Sequence, residues 1–199
     1  MLRTFQTTKF TTQYKMLNKY IKIDGIPDLI ESFLNEGKVF EIKKDDFFFR
    51  KDEVAKLTGF IKKGAFRFID YTDAGKTQIL GYGFQNEFVA DYGAFQAQIK
   101  PLYHTQAITD SIVYALTREK FNQICANHKN IHLRSQIAES LLVEIAQRLV
   151  SLYHTSEERY KLFTENHPDL LNIISLKEIA SFIGVTPETI SRIRKNIKI

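Results

Sequence analysis

Cysteine is nearly absent from this sequence: Cys125 is the only one in 199 residues. A lone thiol excludes an internal disulfide framework and any metal site built from cysteine alone, so a reducing cytoplasm is the expected compartment. Long apolar runs are missing too. Phe47-Phe48-Phe49 and Leu141-Leu142-Val143 fall far short of the roughly 20 residues that cross a bilayer, and no membrane partner is expected. The start of the chain has no apolar stretch of the secretory kind, and its first acidic residue is Asp24, a bias shared with some organelle transit peptides. No nucleophile, base and orienting group stand in a recognisable motif, which argues against an enzyme. His128 and His132 are spaced as ligands on a helix would be, yet no neighbouring cysteine or carboxylate completes a set, so neither a metal nor a cofactor is expected.

What is present is a chain able to bury a core, with 44% hydrophobic and 13% aromatic content, enough for one main domain and a smaller one. The formal net charge of +5 points to an anionic partner. That charge is unevenly placed. From Leu170 to Ile199 there are five basic residues (Lys177, Arg192, Arg194, Lys195, Lys198) against two acidic ones (Glu178, Glu188).

The Thr-rich segment up to Lys15 reads as a loose extension (residues 1–15). From about Glu36 to Arg118 short segments rich in Phe, Tyr, Ile and Val alternate with glycine or charged clusters, the pattern of antiparallel strands and turns. Ala65–Ile69 and Thr77–Leu80 flank Asp73-Ala74-Gly75-Lys76, whose glycine can take the positive φ of a hairpin loop. Several strands without covering helices must close on themselves to hide their edges, which predicts a small β-roll. Between Ile131 and Tyr153 glycine and proline vanish, and Ala138, Leu142, Ile145, Leu149 and Leu152 recur at alternating steps of four and three. That seam fits either dimerisation or packing on the chain's own roll, and the extra width from Leu141, Val143 and Ala146 allows both. Ser156, followed by Glu157 and Glu158, is the expected start of the next helix, with Pro168 beyond its end.

The last 25 residues read as two helices. Ser175 and Glu178 form a capping box at the start of the first, and Gly184 closes it. Thr186 caps the second, with Pro187 at its first position, where a missing N–H costs nothing. Ile190, Ile193 and Ile197 point inward, leaving Glu188, Ser191, Arg192 and Lys195 on an outward strip. Ala180, Gly184, Ile190 and Ile193 occupy the small, glycine and apolar positions of a helix-turn-helix, although an ordinary αα-hairpin would also accommodate them.

With roll, seam helix and the tail "LKEIASFIGVTPETISRIRK" in this order, the chain resembles the cyclic-AMP receptor protein/Fnr superfamily of bacterial transcription regulators over about Met16 to Lys198. "FVADYGAF", "AITDSIVYALTREKF" and "ERYKLFTENHPDLL" are similar to a small subgroup of it. The resemblance implies an α+β fold: an N-terminal double-stranded, jelly-roll-like β-roll sensor (16–128), a dimerisation helix (129–155) and a C-terminal helix-turn-helix domain (156–199). It implies a homodimer on double-stranded DNA and leaves RNA polymerase open as a further partner. Glu188 and Arg192 match the family's base-reading positions, while Thr189, Ser191 and Lys195 match phosphate contacts, with Thr186 beside them. Pro187 stands where the family carries an arginine, and the seven residues after Arg192 are too few for the family's β-hairpin wing.

Family members that bind cyclic AMP hold its ribose with a glutamate and its phosphate with an arginine. Here Asp91 stands near the first position, and Lys100 to His104 contain no arginine. A buried phosphate without its bidentate partner is expensive, so cyclic-AMP binding is not expected. One cysteine also excludes the iron–sulfur sensors of the family, which need about four. An unknown small-molecule effector near Asp91, Tyr92, Phe84, Phe88, Lys100, Tyr103 and His104 is the remaining expectation for the roll, and Asp91 alternatively serves as an N-cap. A roll that binds a small molecule or partner but has weak or lost DNA contact is the second functional reading.

Overall fold

The computed structural model describes residues 23–126, 132–166 and 171–196. A helix, α1 (Ile26–Glu36), precedes the sheets, and its buried Ile26, Leu29, Ile30 and Phe33 form one face at helical spacing. The strands that follow among the described residues are β1 (Lys38–Ile42), β2 (Phe47–Phe49), β3 (Leu57–Lys63), β4 (Ala65–Tyr71), β5 (Thr77–Phe84), β6 (Phe88–Val89), β7 (His104–Ala107) and β8 (Ser111–Thr117). They pair antiparallel in two four-stranded sheets, ordered β1-β8-β3-β6 and β2-β7-β4-β5, which is the β-roll expected from the sequence. The β4–β5 hairpin turns where Gly75 sits, at φ 72. Ile42, Ile61, Phe66, Val89, Ala107 and Val113 fill the space between the sheets.

Short helices interrupt and end the strand run: α2 (Tyr92–Ala97), capped by Asp91, and α3 (Arg118–Cys125), capped by the Thr117 hydroxyl. The long helix α4 (Leu133–Ser151) starts on the roll, where Leu133, Ile137 and Ser140 are buried, the first two in one core with α1, Phe60, Phe95 and Phe121. Its second half leaves the roll. Leu142, Ile145 and Leu149 are 66%, 56% and 56% exposed, and Leu152, just past the helix end, is exposed as well. Ala138, at the roll end of the seam, is partly covered. The helix therefore touches its own domain at one end and presents a bare apolar stripe at the other.

The described helices of the C-terminal part are α5 (Ser156–Asn166), α6 (Leu176–Ile183) and α7 (Pro187–Asn196). The cap of α5 sits one residue before Ser156. The Thr155 hydroxyl accepts from the Glu158 N–H at 3.3 Å, and the Glu158 carboxylate accepts from the Thr155 N–H at 2.8 Å, a complete reciprocal pair. The helix-turn-helix begins and ends as its capping residues dictate. Ser175 and Glu178 make the capping box of α6, Gly184 closes it at φ 77, and the Thr186 hydroxyl accepts from the Thr189 N–H at 3.3 Å at the start of α7. Ile197, expected to point inward, and His128 lie outside the described residues.

Candidate nucleic-acid interface and sensor interior

Ile190 and Ile193 of α7 are buried against Ile179, Ala180 and Ile183 of α6, with Tyr160 and Phe163 of α5 behind them. That anchoring fixes which face of α7 remains outside. Glu188, Ser191, Arg192, Arg194 and Lys195 are all exposed, as is Thr186, while Thr189 is half-buried by its capping role. The α7 strip is what a duplex would meet. The Glu188 carboxyl is held below the usual carboxylate range by its own backbone N–H and the Thr186 hydroxyl, so it remains an ionised acceptor at neutral pH.

The residues read from the sequence as one effector pocket fall into separate clusters. Phe88 joins Phe33 and Phe60 under α1, at ring-centroid distances of 5.4 and 5.6 Å. Phe84 belongs to the cluster shared with α5 and α6. Tyr92 packs edge-on against Phe121, with its hydroxyl near the Arg134 carbonyl. His104 faces Phe47 and Tyr71, and the Lys100 side chain belongs to an exposed residue. Phe88 and Tyr92 pack against the same core, and Asp91 lies near Tyr103, both of these last two being hydrogen-bonded to backbone. One Asp91 oxygen accepts from the Ala94 N–H at 3.0 Å and the other from the Leu102 N–H at 3.1 Å. Tyr103 lies against Phe68 and Phe49 and donates its hydroxyl to the Ala90 carbonyl at 3.1 Å. Burial, reinforced by the Asp91 and Glu144 charges, pushes the Tyr103 hydroxyl well above its ordinary pKa. The interior of the roll is thus occupied by its own aromatic side chains. The residues sit on different elements, Phe84 on β5, Phe88 on β6, Tyr92 on α2 and His104 on β7, so closeness in sequence does not mean one pocket.

One group has no place in that sequence reading. Arg67, on β4, donates to the Glu178 carboxylate of α6 at 2.6 Å, to Gln106 Oε1 at 2.9 Å and to the Asp45 carboxylate at 3.2 Å. Burial alone would push the Glu178 carboxyl up; the Ser175 backbone N–H and the Arg67 guanidinium outweigh it and hold it low. Beside this pair the Ile79 N–H of edge strand β5 donates to the Ser181 hydroxyl of α6 at 3.1 Å. Arg148 of α4 lies over the Phe182 ring at 4.3 Å. An arginine in the middle of the aromatic run AFRFIDY is the only sequence signal for the contact, and it names no partner. Among the described residues no group of three or more His, Cys, Asp or Glu side chains could hold a metal ion.

A β-roll is joined by the long helix α4 to a helix-turn-helix whose second helix carries an exposed polar strip. The Cyclic nucleotide-binding domain family profile matches residues 39–128. Among curated proteins the chain is 26% identical over 187 residues to the cAMP-activated global transcriptional regulator CRP of Salmonella typhimurium, covering 85% of this chain and 86% of that one. It is 24% identical over 181 residues to the transcriptional activator protein anr of Pseudomonas aeruginosa, covering 83% and 72%. Among solved structures, FixK2 from Bradyrhizobium japonicum shares the fold with a TM-score of 0.70 at 19% identity, covering 81% of this chain and 84% of that one. Residues 39–128 thus match the cyclic nucleotide-binding domain family, and over most of its length the chain is similar to transcription regulators of the cyclic-AMP receptor protein and anr kind.

Proposed function

We propose that this chain is a homodimeric, sequence-specific DNA-binding transcription regulator whose sensor does not take cyclic AMP. The observation that carries the reading is the face of α7: Glu188, Ser191, Arg192 and Lys195 stand exposed above buried Ile190 and Ile193. On a duplex Glu188 accepts from a cytosine N4 amine and Arg192 bonds guanine O6 and N7, each good pair giving about 1–3 kcal/mol of discrimination. Thr186, Thr189, Ser191 and Lys195 meet phosphates and set the register. Pro187 leaves one neighbouring base without an arginine. Pairing of the exposed α4 stripe with a second copy sets two recognition helices about 34 Å apart on an inverted repeat.

The relatives named as cAMP-activated are similar over most of this chain, but Asp91 and Tyr103 here spend their polar groups on the protein's own backbone. An effector of other chemistry, and RNA polymerase, are the partners left to such a regulator. Selection of binders from random duplex DNA should enrich an inverted repeat. Arg192→Ala should then cost about 1–3 kcal/mol and relax specificity at one position of each half-site, whereas Lys195→Ala should weaken all sequences alike and lower the salt slope by about 1. If no repeat is enriched, or affinity ignores Arg192, the chain is instead a β-roll binding module that has lost effective DNA contact.

A further inference from the structure

We propose that Arg67 is a positioning residue for DNA recognition: it seats the helix-turn-helix on the roll and so fixes the separation of the two recognition helices in the dimer. This rests on the DNA-binding reading above and adds to it the residue that sets half-site spacing.

The geometry is that of a held strut. Arg67 and Glu178 each keep 22% of their side-chain surface exposed, and Arg67 is oriented before it reaches Glu178, because Gln106 and Asp45 take its other donors. A charge-assisted bond from a pre-oriented guanidinium loses little freedom when formed. The carboxylate is equally fixed. Its second oxygen accepts from the Ser175 N–H at 3.0 Å in the capping box, so the pair grips the first turn of α6 rather than a mobile side chain. Ser181, one turn further along α6, covers the free N–H of edge strand β5. Below them Ala65 and Ile108 of the roll share an apolar cluster with Tyr160, Phe163, Ile179 and Ile183. Since α7 packs on α6, whatever fixes α6 fixes α7.

Seating matters for spacing because a reader free to swing must be ordered on every binding event, whereas a held one has that cost removed beforehand. A swinging reader also accepts half-sites at several separations, and a seated one accepts a single separation.

The full chain provides two separate readouts. Protection of the Ile79 amide depends on α6 being docked, whereas that of Val113, inside β8, does not. In hydrogen exchange, Arg67→Ala should speed Ile79 by about tenfold and leave Val113 unchanged. Glu178→Gln should do the same, because glutamine at this position keeps the capping box and loses the ion pair. Arg67→Lys, which can reach Glu178 but not all three partners at once, should fall between. Unchanged Ile79 exchange in Arg67→Ala overturns the seat whatever the DNA results. On duplexes carrying the selected repeat, with half-sites moved by one or two base pairs, the wild type should favour its own spacing by about tenfold, and Arg67→Ala should flatten that preference. A preference kept by Arg67→Ala overturns the positioning role. If the wild type binds no repeat at all, the DNA reading and the positioning role fall together, and the Ile79 exchange alone then decides whether the seat exists.

Discussion

At His104 the neighbours decide the charge. The ring lies between Phe47 and Tyr71, and its Nδ1 accepts from the Lys51 N–H at 3.3 Å, so a proton on that nitrogen would face another N–H. Burial, opposed by Asp52 and Asp70 and aided by Lys51 and Arg50, lowers its pKa from 6.5. The unfolded chain therefore takes the proton first. Stability is complete above about pH 6.5 and falls as pH drops through the lowered folded value. Denaturant midpoints measured from about pH 7 to about pH 5 should decline, and His104→Gln should remove much of that slope; an unchanged slope would show that other groups set it. Asp70, held low by the Lys51 ammonium at 2.5 Å, adds its own loss only in stronger acid. Tyr82 is the opposite kind of residue. Its hydroxyl is buried in the seam between roll and α6, finds no hydrogen-bond partner among the described residues, and has its pKa pushed up by burial. Tyr82→Phe removes an unsatisfied group and keeps the ring, so thermal unfolding should show a gain of about 1 kcal/mol. A loss would reveal a partner for that oxygen.

At the scale of the element, α4 is two helices in one. Its roll-facing half is committed to the core, and its outer half carries Leu142, Ile145 and Leu149 into solvent, where an apolar stripe of this kind calls for a second copy. Leu149→Asp should leave the fold intact, because the side chain is mostly exposed within its own chain, yet convert dimer to monomer in sedimentation; a dimer that persists would place the interface elsewhere. Elements whose ends are written in local chemistry are legible in the sequence. Ser175 with Glu178, Gly184, and Thr186 with Pro187 bound α6 and α7 to the residue, and Gly75 places the β4–β5 turn. The cap of α5 falls one residue from its expected place because Thr155 and Ser156 are both good caps, and only Glu158 three residues on chooses between them. Helix α1 escapes a sequence reading although Ile26, Leu29, Ile30 and Phe33 carry its period, since a short amphipathic stretch beside β-rich sequence has little to mark it. Arg67 and Glu178 are 111 residues apart, and no local pattern encodes a meeting over that distance.

At the scale of the whole molecule the question is what a regulator with this roll responds to. Any ligand that binds the folded chain and not the unfolded one stabilises it by RT ln(1 + [L]/Kd), about 2.7 kcal/mol at one hundred times Kd. For a chain of this size each kcal/mol moves the thermal midpoint by roughly 2–4 °C, so a true effector is visible without knowing its site. Cyclic AMP would need a partner for its phosphate and a free acid for its ribose. The segment from Gln98 to His104 offers no arginine for the first, and its Lys100 belongs to solvent; both Asp91 oxygens already accept backbone N–H groups, which orients them away from the second role. Admitting the nucleotide would also mean expelling Tyr103 from Phe49 and Phe68 and breaking its bond to Ala90. Millimolar cyclic AMP should therefore leave both the melting midpoint and the DNA affinity of the full chain where they were. A rise of several degrees would mean that Tyr103 yields its place, and that this roll takes the nucleotide without an arginine for its phosphate.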